Sequence, residues 1–183
     1  MVNGSVRRSR VAAIRLCVAT ICVCVSCSQE GGLYVDADDV LLGEGWRHIF
    51  RNGRLKVQPL CYDITAGGMM PAADIWRSDL PSGDRVFYVN NDPIAAPADH
   101  PVLRRALVRA TEKLLGENPF PEIQSTTGPG NLTASLAAHA RHLQVAGLPL
   151  DFELLRDWDS IAEMRWDLSY RGDSRNWRNV YGC

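Results

Sequence analysis

The sequence has no surplus of positive charge, and this absence excludes one broad class of function. Its 20 lysine and arginine side chains are matched by 21 aspartates and glutamates, so the formal net charge of the 183-residue chain is −1. A protein that binds nucleic acid neutralises phosphates with a clear excess of cationic side chains. We therefore expect partners other than nucleic acid.

Long apolar runs are also missing after residue 30. A helix that crosses a membrane needs about 20 predominantly apolar residues in succession, and the body of the chain has no uncharged run of that kind. We therefore expect this body to be a globular domain in the cytoplasm. Peripheral association with a membrane stays open.

Cysteine is scarce beyond the N-terminal segment. Only Cys61 and Cys183 follow residue 30, which argues against a fold held together by disulfides. The other four crowd the N-terminus at Cys17, Cys22, Cys24 and Cys27. They contain one Cys-x-x-Cys pair and lack the second, distant pair of a zinc ribbon, so a zinc site is not expected there.

The first thirty residues have three interpretations, and the sequence leaves all three open. Arg7, Arg8 and Arg10 precede an apolar stretch, which is the outline of a secretory signal or anchor. Cys27 would then be a candidate for lipidation, and the protein would be exported. Alternatively, residues 11–28 form a buried helix. In the third interpretation the start codon lies outside the true reading frame, because the composition changes abruptly at Gln29.

Strand and helix patterns alternate after these thirty residues and predict one α/β domain over residues 31–183. The predicted strands are 33–35, 54–62 and 85–89, and Pro59 is expected to place the second at a sheet edge or to end it. The predicted loops are 67–74 and 90–93. The second loop is rich in residues typical of turns, Asn90, Asn91 and Asp92, and it precedes a proline.

Two amphipathic helices are predicted in the second half of the chain. The first has Pro101 in its first turn and ends at Gly116. Its apolar stripe comprises Val102, Leu103, Ala106, Leu107, Ala110 and Leu114. The second helix has Asn131 as its N-cap and ends at Gly147.

The histidines and aromatic residues in this half of the chain have structural interpretations. His100 is interpreted as a residue at the start of the first helix, and His139 and His142 are expected to face solvent from the second. The aromatic residues after 151 predict a packed closing segment or, alternatively, a lid or sugar-stacking platform. They are Trp158, Trp166, Tyr170, Trp177 and Tyr181.

The stretch GGLYVDADDV, residues 31–40, is the strongest sign of chemistry. A short strand pattern ends in Asp36 and Asp38, and alternate residues at a strand end project to the same side. Carboxylate oxygens are preferred ligands of hard divalent cations, which often share their coordination shell with substrate phosphates. An Asp-x-Asp pair alone is frequent by chance, so the flanking residues decide its meaning.

These flanking residues form the first of three blocks that resemble one enzyme family. GGLYVDADDV resembles the Gly-Gly-[Ile/Leu]-Tyr-[Leu/Val]-Asp-x-Asp block of the DXD-containing sugar transferases of glycosyltransferase family 32, which includes capsule and lipopolysaccharide enzymes. VNNDPIAAPADHPVLRRAL resembles the Asn-Asn and His-Pro block that precedes a helix in that family. STTGPGNLTASL resembles its Thr-Gly-Pro block. The three blocks occur in the family's order.

The resemblance implies a GT-A-like fold and metal-dependent transfer of a sugar. The donor would be a nucleotide-sugar such as a UDP- or GDP-sugar, and the acceptor a hydroxyl of a glycan or a lipid-linked molecule. The family also carries nucleotide-binding strands before the first block, and only thirty residues precede it here. We therefore expect the chain to be the C-terminal part of such a fold, apparently truncated at its N-terminus.

The resemblance also assigns residues. Asp36 is expected to meet the ribose or sugar of the donor and Asp38 to ligate Mn²⁺ or Mg²⁺; both are candidate catalytic residues and metal ligands. The candidate substrate-binding residues are Gly32, Tyr34, Asn90, Asn91, Thr127, Gly128 and Pro129. Structural alternatives remain for the last two blocks, because Asn90 and Asn91 suit a turn and residues 127–129 suit the start of a helix.

Two other functions stay open beside sugar transfer. The chain could be an inactive, truncated remnant of such an enzyme. It could also be an exported lipoprotein in which the aspartates bind a cation for structural reasons.

Overall fold

A twelve-residue strand organises the described part of the chain. The structure is a computed structural model that describes residues 29–36, 38–79, 83–116 and 122–165. In chain order its strands are β1 (Gly32–Tyr34), β2 (Asp39–Leu41), β3 (Leu55–Asp63), β4 (Gly68–Met69), β5 (Arg85–Ala96), β6 (Phe152–Leu154) and β7 (Ala162–Met164). A 3₁₀-helix covers Gly45–Phe50, and the α-helices are α1 (Pro101–Leu115), α2 (Ile123–Thr126), α3 (Pro129–Ala146) and α4 (Trp158–Ile161).

Five of the strands form one mixed sheet, in the order β1-β5-β3-β4, with β6 also paired to β3. The β3–β6 pair is parallel, and the other pairs in this sheet are antiparallel. Strands β2 and β7 form a separate antiparallel pair. The predicted combination of strands and helices is confirmed as a mixed α/β fold, although hairpin-like pairing dominates over parallel crossovers.

Of the two expectations for Pro59, that it ends the strand is wrong, whereas its outer side does lack a partner strand among the described residues. Strand β3 continues to Asp63, and Pro59 pairs with Val89 of β5. On its other side, β3 pairs with β6 from Leu55 to Val57 and with β4 at Tyr62 and Asp63. The proline lies between these two partners, where its missing N–H breaks no ladder. The predicted loop 67–74 likewise contains the two-residue strand β4.

The first long helix is confirmed with its predicted stripe. Val102, Leu103, Ala106 and Ala110 are buried, and Leu107 and Leu114 are half-buried. His100 is the N-cap of this helix, and its ring nitrogen accepts the N–H of Val102. The prediction that His100 belongs to the helix start is therefore confirmed.

The second long helix starts earlier than predicted. Its N-cap is Gly128, with Pro129 in the first turn, and its end at Gly147 in a left-handed conformation is confirmed. Asn131 lies inside the helix and is buried, and its Nδ2 donates to the Ala106 carbonyl at 2.8 Å. The amide side chain thus joins α3 to α1. The preference of asparagine for N-cap positions does not reveal this role, because the partner lies on another helix.

Two apolar clusters lie on opposite faces of the main sheet. The first includes Ile94 and packs the sheet against α1 and α3 through residues such as Leu103 and Leu136. The second includes Ala95 and packs the other face against the 3₁₀-helix and α4 through Ile49 and Ile161. Since Ile94 and Ala95 are consecutive in β5, the alternation of a strand places one in each cluster.

Both lysine side chains of the sequence bind backbone carbonyls. Lys56 is buried, and its Nζ donates to the Arg51 carbonyl at 2.9 Å and also to the Ile49 carbonyl at the end of the 3₁₀-helix. Lys113 donates to the Ser125 carbonyl at 2.8 Å. Each lysine therefore ties a helix or strand to a neighbouring loop or short helix.

Helices long and apolar enough to cross a membrane are absent from the described part of the chain. Of the predicted aromatic closing segment, Trp158 is described and buried. The other four aromatic residues, Trp166, Tyr170, Trp177 and Tyr181, and the segment 1–28 lie outside the described residues.

Candidate functional site

The acidic stretch follows directly after β1, as the sequence predicts. Strand β1 pairs with β5, with Tyr34 opposite Ile94. The side-chain hydroxyl of Tyr34 donates to the Asp36 carboxylate, as expected for residues i and i+2 of an extended segment. The chain then turns, because the N–H of Asp39 donates to the Asp36 carbonyl at 3.1 Å. We call residues 36–39 the acid loop; residue 37 is outside the described part.

A close approach of two backbones fixes the entry to β1. Gly31 has φ +71°, and a Cβ atom there would lie 2.8 Å from the Ala98 nitrogen and 2.9 Å from the Ala96 carbonyl oxygen. A side chain at this position would meet backbone atoms that cannot swing away. The first glycine of the motif therefore allows β1 to lie against the end of β5.

Asp92 of β5 meets the acid loop, and the sequence interpretation of this residue was wrong. Residues 90–93 were expected to form a turn, but β5 runs through them to Ala96. They form a bulge, because Val57 pairs with Ile94 while Pro59 pairs with Val89, which leaves four residues of β5 opposite Gln58. Pairing of Val89 and Ile94 with β3, and of Ile94 with β1, keeps the segment between them within the strand despite its turn-forming residues.

The Asp92 side chain is 7% exposed, and its Oδ1 accepts the backbone N–H of Asp36 at 2.9 Å. Asp36 is exposed, whereas Asp38 and Asp39 are half-buried. The Asp38 carbonyl accepts the N–H of Arg165 at 2.8 Å. Three backbone hydrogen bonds therefore hold the acid loop. They involve the Asp36 N–H, the Asp36 carbonyl and the Asp38 carbonyl.

Asp39 was not among the predicted site residues. Its side chain lies beside the carboxyl of Asp92 and the side chain of Trp158. Its Oδ2 is buried and has no hydrogen-bond donor among the described residues. A run of three aspartates within four positions was a signal for Asp39, but only the fold brings Asp92 to it.

The carboxyl groups influence one another electrostatically. Burial, followed by the nearby Asp36 carboxylate, raises the pKa of Asp92 to about 8. Burial also raises the pKa of Asp39, and the Asp38 and Asp36 charges add to this effect. Burial and the hydrogen bond to Asp36 raise the pKa of the Tyr34 hydroxyl. These shifts arise because several negative charges share one partly buried region.

The acid loop offers the type of ligand atom that a hard divalent cation prefers. Carboxylate oxygen is the preferred ligand type of Mg²⁺ and Mn²⁺, and the unpartnered, buried Oδ2 of Asp39 shows that the cluster has unused acceptor capacity. The aspartates do not bring three ligand atoms within 4.8 Å of one another in the described structure. This separation is compatible with Mg²⁺-type sites, in which one or two carboxylates are completed by substrate phosphates and water.

The predicted residues Asn90 and Asn91 lie in the same bulge as Asp92. Asn90 donates from Nδ2 to Gln58 Oε1 at 3.4 Å, and Asn91 is half-buried. Both residues therefore sit within two positions of the residue that contacts the acid loop. The structure brings the first and second sequence blocks together along the β1–β5 pair.

Residues 127–129 lie between α2 and α3. Thr127 and Gly128 are buried. Gly128 is the N-cap of α3, and Pro129 is its first residue. One turn later, the Thr133 hydroxyl accepts the N–H of Val89 at 2.9 Å and donates to the Pro129 carbonyl at 2.7 Å. Through Thr133, the third block contacts β5 immediately before the bulge.

A second polar cluster joins His100, His139 and Asp151. His139 was expected to face solvent, and this was wrong: it is buried, and its Nε2 lies 2.8 Å from Asp151 Oδ1. The Nε2 of His100 lies 3.3 Å from the Asp151 carbonyl oxygen. His142, in contrast, is exposed as expected.

These three residues are the one group of at least three potential metal ligands within 4.8 Å found in the described chain. However, the Nδ1 of His100 accepts the N–H of Val102, so in a neutral ring the proton is on Nε2. That nitrogen is then a donor to Asp151 and has no lone pair for a cation. The cluster is best described as a hydrogen-bonded junction between α1, α3 and β6.

A shallow depression lies beside the acid loop. Trp158, which contacts Asp39, also lines this depression together with Gln58, Trp76, Arg156 and Asp159. The Arg156 guanidinium lies 4.1 Å from the centre of the Trp76 ring. Gln58 connects the depression to the bulge through Asn90.

Comparison with solved structures found chains of similar fold. No protein-family model matches the chain, and no curated protein matches it. A solved structure, the PaToxG glycosyltransferase, superimposes with a TM-score of 0.48 at 18% sequence identity, over 79% of this chain and 44% of that one. The chain thus spans less than half the length of that structure, and at this level the likeness concerns the path of the backbone and no individual residue.

Proposed function

We propose that this chain carries the cation- and donor-binding part of a DXD-type sugar transferase with a GT-A-like fold. The observation that supports it most is the meeting of the three sequence blocks along β5. Asp36 contacts Asp92, Asn90 and Asn91 lie in the same bulge, and Thr133 links the start of α3 to Val89. Blocks separated by up to about ninety positions in the sequence thus lie along one strand, an arrangement that would allow them to line one site.

In this proposal Asp36 and Asp38 hold Mn²⁺ or Mg²⁺ together with a nucleotide diphosphate. The bound cation would stabilise the negative charge that the diphosphate leaving group gains as the glycosidic bond breaks. Tyr34 orients the Asp36 carboxylate through its hydroxyl. The candidate residues Gly32, Asn90, Asn91, Thr127, Gly128 and Pro129 would form the surroundings of the donor.

The acceptor would be a hydroxyl of a glycan or a lipid-linked sugar. The depression beside Trp158 is open to solvent and carries an aromatic ring, an amide and a guanidinium. Such groups suit a polar, ring-shaped ligand, because aromatic faces stack on sugar rings and amides bind hydroxyls.

Thermal unfolding in the presence of ligands tests the proposal. We expect Mn²⁺ with UDP or GDP to raise the melting temperature by about 5–10 °C at a hundredfold excess over Kd, which corresponds to about 2.7 kcal/mol. Asp38→Ala should abolish this rise. Asp63→Ala is the matched control, because Asp63 accepts a loop N–H from Ala66 at 2.9 Å at the other end of β3, and it should keep the full rise.

Other outcomes distinguish the alternatives. Equal melting with and without the nucleotides would contradict the proposal. A rise with Mn²⁺ alone, unaffected by nucleotide, would favour a structural cation site. Ligand-dependent stabilisation without any donor hydrolysis, in a screen of several nucleotide-sugars with Mn²⁺, would favour an inactive remnant.

A further inference from the structure

The hydrogen bond between Asp92 and Asp36 replaces a contact that the β-ladder cannot make. In the β1–β5 register, Gly32 pairs with Ala96 and Tyr34 with Ile94. The same register would place Val35 opposite Pro93 and Asp36 opposite Asp92. Because Pro93 has no N–H to donate, the ladder ends there. The carboxylate of Asp92 then takes the N–H of Asp36, at 2.9 Å.

This contact is well placed to fix the start of the acid loop. Asp92 is 7% exposed, and β5 is paired on either side of the bulge that bears it, with β3 at Val89 and with both β3 and β1 at Ile94. A buried carboxyl group between two paired stretches of a strand has little freedom, so its acceptor oxygen defines where the Asp36 backbone lies. The other two backbone contacts of the loop, at the Asp36 and Asp38 carbonyls, come from backbone N–H groups. Asp92 is thus the side chain that anchors the loop backbone.

We propose that Asp92 is a positioning residue for the cation site: it holds the Asp36 backbone so that the carboxylates of the acid loop are preorganised. This inference rests on the proposed function, since it assigns the loop its cation. It gives Asp92 a role distinct from that of a ligand, because its Oδ1 accepts the Asp36 N–H and its carboxyl group lies beside that of Asp39. Preorganisation of this kind lowers the cost of ordering the loop when the cation binds.

The experiment measures Mn²⁺ affinity by electron paramagnetic resonance of free Mn²⁺, with UDP or GDP present. Asp92→Ala removes the acceptor, and we expect the affinity to fall at least tenfold. Asp92→Asn keeps an oxygen that can accept the Asp36 N–H, and we expect it to stay within about threefold of the parent protein. If Asp92→Ala does not fold, Asp92→Leu fills the site without an acceptor and should give the same loss.

The controls separate positioning from folding and from the function itself. Asp63→Ala, which removes an equivalent loop contact elsewhere, should leave Mn²⁺ affinity unchanged. Amide hydrogen exchange at Asp36 should accelerate in Asp92→Ala and remain slow in Asp92→Asn. A merely structural role would lower the melting temperature without changing the affinity of the folded protein for Mn²⁺.

Three results would overturn the inference. Unchanged affinity in Asp92→Ala would show that the contact does not position the loop. An equal loss in Asp92→Asn and Asp92→Ala would show that the charge of Asp92, and not its acceptor oxygen, matters. If Asp38→Ala itself leaves Mn²⁺ affinity intact, the proposed function fails as well; if Asp38→Ala loses binding and Asp92→Ala does not, only the inference fails.

Discussion

At the start of α1, the two ring nitrogens of His100 face different partners. Its Nδ1 accepts the N–H of Val102 at 3.3 Å, and its Nε2 lies 3.3 Å from the Asp151 carbonyl oxygen. The ring of His139 packs against it edge-on, with the ring centres 5.6 Å apart. Burial lowers the pKa of His100, although the Asp151 charge opposes this effect. The neutral ring is therefore the form that the folded protein requires.

This requirement predicts a pH dependence of stability. Because the folded pKa of His100 lies below its value in the unfolded chain, the unfolded state binds more protons in between, and the free energy of unfolding falls as the pH decreases. The contribution is complete above about pH 6.5 and is lost as the pH falls through the folded pKa. Loss of the cap should cost about 1 kcal/mol.

His100→Asn isolates this contribution from those of other titrating groups. Asparagine can accept the Val102 N–H and does not titrate, so the variant should lose less stability than the parent protein between pH 7 and pH 5. Urea denaturation at several pH values measures the difference. If the free energy of unfolding changes equally with pH in the two proteins, the proposed role of His100 is wrong.

Single residues were predictable where the signal was local. Asp36 follows a strand as expected, and His100 caps the helix that begins at Pro101. The burial of His139 was not predictable, because its partner Asp151 lies beyond the helix end and returns to it only in the fold. Asp92 was read as a turn residue for the same reason: its neighbours in space are set by β1 and β3.

The bulge of β5 and the start of α3 are joined by one hydroxyl group. Thr133 accepts the N–H of Val89 at 2.9 Å and donates to Pro129 at 2.7 Å. Val89 is fully buried, so its N–H has no access to water if the hydroxyl is removed. A side-chain oxygen from a helix thus takes the N–H of a strand residue that lies next to the bulge.

Thr133→Val tests this connection between the two elements. Valine has nearly the same shape and cannot accept a hydrogen bond, so the buried N–H of Val89 would be left unpaired at a cost of about 1–3 kcal/mol. Thr133→Ser keeps the hydroxyl and should lose clearly less. Chemical denaturation of both variants measures the difference, and equal losses would indicate that packing of the methyl group matters more than the hydroxyl.

Elements with local start and end signals were predicted well. Helix α1 has a proline near its start, a regular apolar stripe and a glycine after its end, and the structure confirms all three. The extent of β5 was not predictable, because Asn90, Asn91 and Asp92 favour a turn by themselves. Pairing of the residues that flank them, Val89 with β3 and Ile94 with β3 and β1, outweighs that preference.

Across the whole described fold, the two apolar clusters share the main sheet. Ile94 belongs to the cluster under α1 and α3, and its neighbour Ala95 to the cluster under the 3₁₀-helix and α4. Loss of either cluster would expose one face of the same strands. We therefore expect both faces to unfold as one cooperative unit.

Two core truncations test this cooperativity. Leu103 is fully buried in the first cluster and Ile161 is 2% exposed in the second, so Leu103→Ala and Ile161→Ala should each cost about 2–5 kcal/mol. Far-UV circular dichroism, to which α1 and α3 contribute, and tryptophan fluorescence, to which Trp46 and Trp158 of the second cluster contribute, should give coincident transitions. Separate transitions in either variant would show that the two faces unfold independently.

The assembly of the candidate site was only partly visible in the sequence. The order of the three blocks suggested that they act together, but their spacing did not say which of their residues touch. The contact between Asp36 and Asp92 depends on the register of β1 against β5, which places Pro93 at the end of the ladder. That register follows only from the complete sheet. The GT-A-like assignment and the donor-binding residues stay predictions.

The two lysines have a practical consequence for chemical work on this protein. The Nζ atoms of Lys56 and Lys113 are already engaged with main-chain oxygens, and Lys56 is also buried. Reagents that acylate amines need a free, uncharged amino group, so both positions should resist succinimidyl dyes, amine cross-linkers and resin coupling. The accessible cationic surface consists of arginine, which keeps its charge at any working pH. Attachment to a sensor surface is therefore better directed through a terminal affinity tag.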